Sequence, residues 1–332
     1  MAEVAVIGAG SWGTALAGAL AGMGHGVRLW AREEEVVASI REEGRNRLFL
    51  PDIVLPAAVG ATSNLEEALA PAEIVLSVMP SHVCRALYER MAPLLRSDMV
   101  LVSATKGLEE GTLMRMSEVI RAVLSPRFEP RVAVLSGPSF AREVARGEPT
   151  AIVAASASPD LAGRIQREFS SRTLRLYASD DVVGVELGGA VKNVIAIAAG
   201  VVEGLGLGHN PMAALVTRGL AEVSRLAEAC GGRQDTLAGL AGMGDLVLTC
   251  TGAQSRNRRV GVELGKGRRL DDILRSMHEV AEGVKTTEAV LELSRRLGVD
   301  MPIATMVGLL LRGAISPREA IDALMERSLK SE

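Results

Sequence analysis

Four clusters in this sequence combine residue types and spacings that can do chemistry. The first is Gly8-Ala9-Gly10-Ser11-Trp12-Gly13, directly after the apolar run Val4-Ala5-Val6-Ile7. In such a turn Gly8 makes the tight bend and Gly10 lets backbone approach a pyrophosphate, while Gly13 lets the next helix pack on the strand. The helix N-terminus adds unpaired N–H groups and the positive end of a dipole. Glycine turns also arise for steric reasons alone. Here, though, strand, turn, helix (Thr14 to Leu20) and second strand follow in order, which predicts a dinucleotide site. The second strand ends Arg28-Leu29-Trp30-Ala31-Arg32. A carboxylate at that place binds a ribose 2′-hydroxyl, whereas an arginine accommodates a 2′-phosphate. Arg32 therefore favours NADP(H), with NAD(H) the alternative if Glu33, Glu34 or Glu35 turns inward.

The second cluster stands where two further apolar strands end, at Ser103-Ala104-Thr105-Lys106-Gly107 and Ser136-Gly137-Pro138-Ser139-Phe140-Ala141. Ligands of open α/β sheets lie beyond the carboxyl ends of the strands, so Lys106 is placed to orient a carbonyl or an anion. An exposed loop is the plain alternative for any lysine. The third cluster is Lys192 within Gly188-Gly189-Ala190-Val191-Lys192-Asn193-Val194-Ile195. An amine in so apolar a segment either snorkels to water or lines a cleft. Burial and a second cation such as Lys106 would each lower its pKa from about 10.4 towards neutrality. A base that takes a proton from an alcohol needs that; the local sequence leaves catalysis and a structural lysine equally open. Neither His25, His82, His209 nor His278 has a neighbour that makes a dyad. In the fourth cluster, Gly242-Met243-Gly244-Asp245 precedes Thr249 to Arg259. Ser255 can cap a helix whose first turn carries Arg256 and Asn257, which suits a phosphate or carboxylate. Solvated arginines on an ordinary capped helix are the alternative.

The elements that must carry these groups divide the chain. Val4–Ile7, Val27–Trp30, Ile74–Val78, Met99–Ser103, Val132–Ser136 and Ala151–Ala155 read as strands, with Leu174–Tyr177 a seventh, and helical patterns lie between most of them. That is the pattern of a parallel, doubly wound sheet. Beyond about Ser179 helical spacing takes over in Val183–Leu205, Pro211–Cys230, Arg256–Gly265, Leu270–Met277, Val284–Leu297, Ile303–Arg312 and Ser316–Leu329. The expected fold is α/β: an N-terminal Rossmann-like doubly wound sheet over residues 1–185, followed by an all-α domain over 186–332. A length of 332 residues fits two domains. The 48% of apolar residues can fill their cores, largely without aromatics at 2%. A formal charge of -3 argues against nucleic acid as partner. Cys84, Cys230 and Cys250 form no CxxC pair or Cys/His cluster, so neither metal nor disulfide framework is expected. The start is too short and wrongly flanked for a signal peptide, and the apolar stretch Val194 to Val202 is too short for a span. A cytoplasmic, soluble protein is the expectation.

Read together, the clusters resemble the bacterial NAD(P)-dependent glycerol-3-phosphate dehydrogenases, from Val4 to about Arg327. Ala281-Glu282-Gly283-Val284 closes the resemblance, and the joint order and spacing of the motifs are very specific. Met79, before Pro80-Ser81, departs from the smaller apolar residue expected there. The resemblance implies cofactor contacts at Ser11, Trp12, Arg32, Phe49, Lys106, Ala141 and Arg256, with Val280 and Glu282 near the nicotinamide end. It implies substrate contacts at Lys106, Gly137, Ser139, Asp245, Ser255, Arg256 and Asn257, with Lys192 as the proton acceptor. The implied activity is hydride transfer between NAD(P)H and dihydroxyacetone phosphate. A homodimer through the apolar helical half is expected, and no membrane partner.

Overall fold

Apolar runs too continuous to face water build one eight-stranded sheet with both faces covered. The computed structural model describes residues 1–277 and 281–328. The strands are β1 (Glu3–Ile7), β2 (Gly26–Trp30), β3 (Val59–Thr62), β4 (Ile74–Ser77), β5 (Val100–Ser103), β6 (Arg131–Ser136), β7 (Thr150–Ala155) and β8 (Leu174–Ser179). Their order is β3-β2-β1-β4-β5-β6-β7-β8. All neighbours run parallel except β6 and β7. The order reverses between β1 and β4, the switch point at which such sheets bind dinucleotides. Ile7 pairs with Ser77, and Ser77 with Ser103, so the carboxyl ends of β1, β4 and β5 finish level.

Strand periodicity fixes which residues each face receives. Val4, Val6, Leu76 and Val102 pack on one side with Leu16, Leu20 and Phe169. Ala5, Ile7, Val75 and Leu101 pack on the other with Tyr88, Met91 and Ile120. Met79 joins this second core at 6% exposure. The sheet contains one strand the sequence reading lacks: β3, Val59-Gly60-Ala61-Thr62, is a four-residue edge strand with a glycine and no apolar run.

The helical half is built around Val182–Gly204, which buries eighteen of its residues on all sides. By length and composition this helix could cross a membrane, yet 83% of its most apolar window lies inside the protein, as in the central rod of a helical core. His209–Ala229, Arg256–Gly265, Glu282–Leu297 and Pro302–Leu311 pack around it. The closest crossing needs no side chains. Gly200 and Gly204 lie against Gly261 and Gly265, and a Cβ on Gly200 or Gly261 would overlap the carbonyl oxygen of Arg258 or Ile197. Gln234–Ala238 and Asp245–Thr251, joined by a π turn over Leu240–Gly244, are helical stretches absent from the sequence reading, because Gly239, Gly242 and Gly244 break the periodicity. β8 ends at Ser179, so residue 185 falls within the first turns of the central helix.

Glu186, on that helix, fastens the two halves. Its carboxylate accepts hydrogen bonds from Arg115 Nη1 at 2.9 Å, from the Ser117 N–H at 2.8 Å and from the Ser117 hydroxyl at 2.6 Å. Burial still holds its pKa above the ordinary carboxylate value.

Candidate active site

The glycine turn sits at the switch point, as its spacing requires. Gly8 has φ +115°, a conformation L side chains avoid, and a Cβ there would overlap the Val78 carbonyl. A Cβ on Gly13 would overlap the Gly8 carbonyl. Gly10 differs: no protein atom lies within 4 Å of where its Cβ would stand. It is also the N-cap of the Ser11–Gly22 helix, with no side-chain cap and no acidic residue in the first turn. A backbone cradle with that open side fits a dinucleotide pyrophosphate. Ser11 donates to the Phe49 carbonyl at 2.9 Å. Trp12 and Ala141 each pack against the cluster of Ala15, Leu50 and Val144. Arg32 lies past the end of β2, its side chain 79% exposed and paired at 2.7 Å with Glu33. A surface pair of that kind is worth about 0–1 kcal/mol, so the guanidinium is readily exchanged to another anion.

From Val78, which Gly8 touches, the chain leads to the second centre. The Met79 N–H bonds Thr105 Oγ1 at 3.2 Å, which places the β4 loop beside Lys106. Lys106 Nζ donates to Asp245 Oδ2 at 2.6 Å and to the Gly137 carbonyl at 3.3 Å. The other oxygen of Asp245 accepts from Lys192 Nζ, which also donates to Thr249 Oγ1 at 2.9 Å. Thr249 Oγ1 in turn donates to the Asp245 carbonyl at 2.6 Å, one helical turn back. Two lysines from opposite halves thus share one carboxylate that is 1% exposed. Burial pushes the Lys192 pKa down to about 7; Lys106 adds to the drop and Asp245 opposes it.

The rim is charged as well. Burial lifts the Glu282 pKa to about 7 against the pull of Arg256, Lys106 and Lys192. Arg256 is exposed on the first residue of its helix. Ser255 is the N-cap of that helix: its hydroxyl accepts from the Arg258 N–H at 3.2 Å, worth about 1 kcal/mol. Asn257 donates to Asn193 Oδ1 and accepts from the Gly283 N–H, both at 2.9 Å, which leaves one amide hydrogen for another acceptor. Gly137 has φ +139°, and Ser139 Oγ donates back to its carbonyl at 2.9 Å.

Lys106, Gly137, Lys192, Asp245, Arg256 and Glu282 therefore converge at the mouth of the sheet, and Ser255, whose hydroxyl accepts from its own helix, keeps a hydrogen to donate. Val280 lies outside the described residues. Thr249 and Asn193 join the cluster from positions to which the sequence assigns no role; the signal for Thr249 is its place one turn beyond Asp245 on the same helical face. His25 is structural, bonding Ala2 N at 3.1 Å and the Glu168 carbonyl at 2.8 Å.

A switch-point glycine turn beside a buried lysine of near-neutral pKa defines a Rossmann-type nicotinamide oxidoreductase. The sequence profile of the NAD-dependent glycerol-3-phosphate dehydrogenase N-terminus matches residues 3–162, and that of its C-terminus residues 181–322. The chain belongs to the NAD-dependent glycerol-3-phosphate dehydrogenase family. It is 60% identical to the glycerol-3-phosphate dehydrogenase (NAD(P)+) of Koribacter versatilis (strain Ellin345), over 100% of this chain and 99% of that one. The enzyme of the same name from Acidobacterium capsulatum is 56% identical, with 100% of both chains covered. The crystal structure of glycerol-3-phosphate dehydrogenase from Coxiella burnetii superposes with a TM-score of 0.94 at 40% identity, covering 98% of this chain and 99% of that one.

Proposed function

We propose that this chain catalyses reversible hydride transfer between NAD(P)H and C2 of dihydroxyacetone phosphate, giving sn-glycerol 3-phosphate for phospholipid synthesis. The observation that carries the reading is the meeting of Lys192 and Lys106 on Asp245 at the mouth of the sheet. Residues 1–185 form the dinucleotide domain and 186–332 the helical domain. Gly8, Gly10, Ser11, Trp12, Gly13, Phe49, Lys106, Ala141, Arg256, Val280 and Glu282 hold the cofactor, with Arg32 at its 2′-phosphate; NADP(H) is the preferred form. Bound there, the nicotinamide supplies the hydride in reduction and takes it up in oxidation.

Lys192, as ammonium, delivers a proton to the C2 oxygen during reduction; as neutral amine, it takes that proton back during oxidation. Its pKa of about 7 leaves both forms populated near neutrality. Lys106, Gly137 and Ser139 orient the reacting end of the substrate. Arg256, Asn257 and the helix end capped by Ser255 hold its phosphate, so remote binding energy positions the reacting carbon. Asp245 keeps both lysine nitrogens in place. We place the protein in the cytoplasm as a homodimer joined through the helical half, where Met212, Leu215 and Val216 stay part-exposed. Following NADPH and NADH absorbance on adding dihydroxyacetone phosphate tests the reading. Oxidation is expected with both and lower KM for NADPH, and no oxidation of either would refute it.

A further inference from the structure

We propose that Asn46 is a positioning residue for the dinucleotide: it aims the Gly10 amide at the pyrophosphate by fixing the Ala9–Gly10 peptide. The proposal rests on the dinucleotide reading above. Asn46 lies between the Glu34–Glu43 helix and β3 and is followed by Arg47 and Leu48, both exposed, yet is itself 0% exposed. Its Nδ2 donates to the Ala9 carbonyl and to Thr14 Oγ1, each at 2.8 Å. Its Oδ1 accepts the Phe49 N–H at 3.1 Å, and its backbone carbonyl accepts the Leu50 N–H at 2.9 Å. Thr14 donates a second hydrogen bond to Ala9 O at 3.2 Å.

In a planar trans peptide the C=O and the following N–H point to opposite sides. Two donors that pin the Ala9 oxygen inward therefore turn the Gly10 N–H outward. Gly10 is the one glycine of the turn whose missing side chain faces no protein atom within 4 Å. The same Asn46 amide group also sets Phe49, whose carbonyl holds Ser11 at 2.9 Å, so one side chain couples the turn to the opposing loop. Aspartate keeps the size and the acceptor but presents a carboxylate oxygen to the Ala9 carbonyl, and alanine loses all three side-chain bonds.

The test titrates the full-length protein and its Asn46→Asp and Asn46→Ala variants with NADPH, NADH and ADP-ribose, which carries the pyrophosphate without nicotinamide. Dissociation constants for all three are expected to rise about tenfold or more, a shift of the size one or two lost buried hydrogen bonds produce. At saturating dinucleotide the KM for dihydroxyacetone phosphate should stay within about threefold of wild type. Ile165→Ala, in the sheet core, serves as a destabilised control that should lose melting temperature without moving these constants. If Asn46→Ala does not fold, the near-isosteric Asn46→Asp decides. Binding within about twofold of wild type in folded Asn46→Asp overturns the assignment and leaves the dinucleotide reading intact, as does an equal rise in the Ile165→Ala control. A wild-type chain that binds none of the three probes instead overturns the dinucleotide reading itself.

Discussion

Lys106 and Lys192 hold the same carboxylate, yet the two halves of the molecule present them differently. Lys106 comes from a loop past β5 with its side chain 19% exposed, whereas Lys192 projects from the interior of a 23-residue helix with its side chain 8% exposed. A loop lysine keeps part of its hydration and can follow a ligand. A lysine in the wall of a helical core can do neither, and loss of water brings its ammonium within reach of deprotonation near neutrality. Under the proposed reaction, the contrast suits Lys106 to orientation and Lys192 to proton transfer: environment, not residue type, would separate the roles.

Removing Lys192 should therefore have the largest effect. Lys192→Ala is expected to lower turnover by about 10²- to 10⁴-fold while cofactor binding persists, and turnover close to wild type would erase the distinction. Lys106→Ala should act on binding instead, raising the KM for dihydroxyacetone phosphate about tenfold or more with a smaller change in turnover. Arg256→Ala should likewise raise that KM, by about tenfold or less because the side chain is exposed. The smallest effect is on pH dependence. The neutral Lys192 amine predominates above its pKa, so oxidation should rise with pH through about 7 and reduction should fall over the same range. Because the charge of Lys106 depresses that pKa, Lys106→Ala should move both limbs to higher pH. Unmoved limbs would show that the two amines do not sense each other.

The same contrast explains what could be read from the chain. β1, its glycine turn and the strands that lead to Lys106 and Gly137 announce themselves because each is a contiguous apolar run with its functional residue within three positions of its end. Lys192 stands out as a cation in an apolar helix, but its partner lies 53 residues further on, where no local period links them. Asp245 sits just after a glycine-interrupted π turn, so even the helix that carries it was illegible. The Asn193–Asn257–Gly283 contact joins three helices and exists only in the packed structure.

The glycine-on-glycine crossing of the central helix with Arg256–Gly265 reaches beyond packing. Because main chain rests on main chain there, the spacing between these helices depends on atomic radii and not on rotamers. The main chain that carries Lys192 and the helix that Ser255 caps are thereby held in one frame that no side-chain rearrangement can loosen.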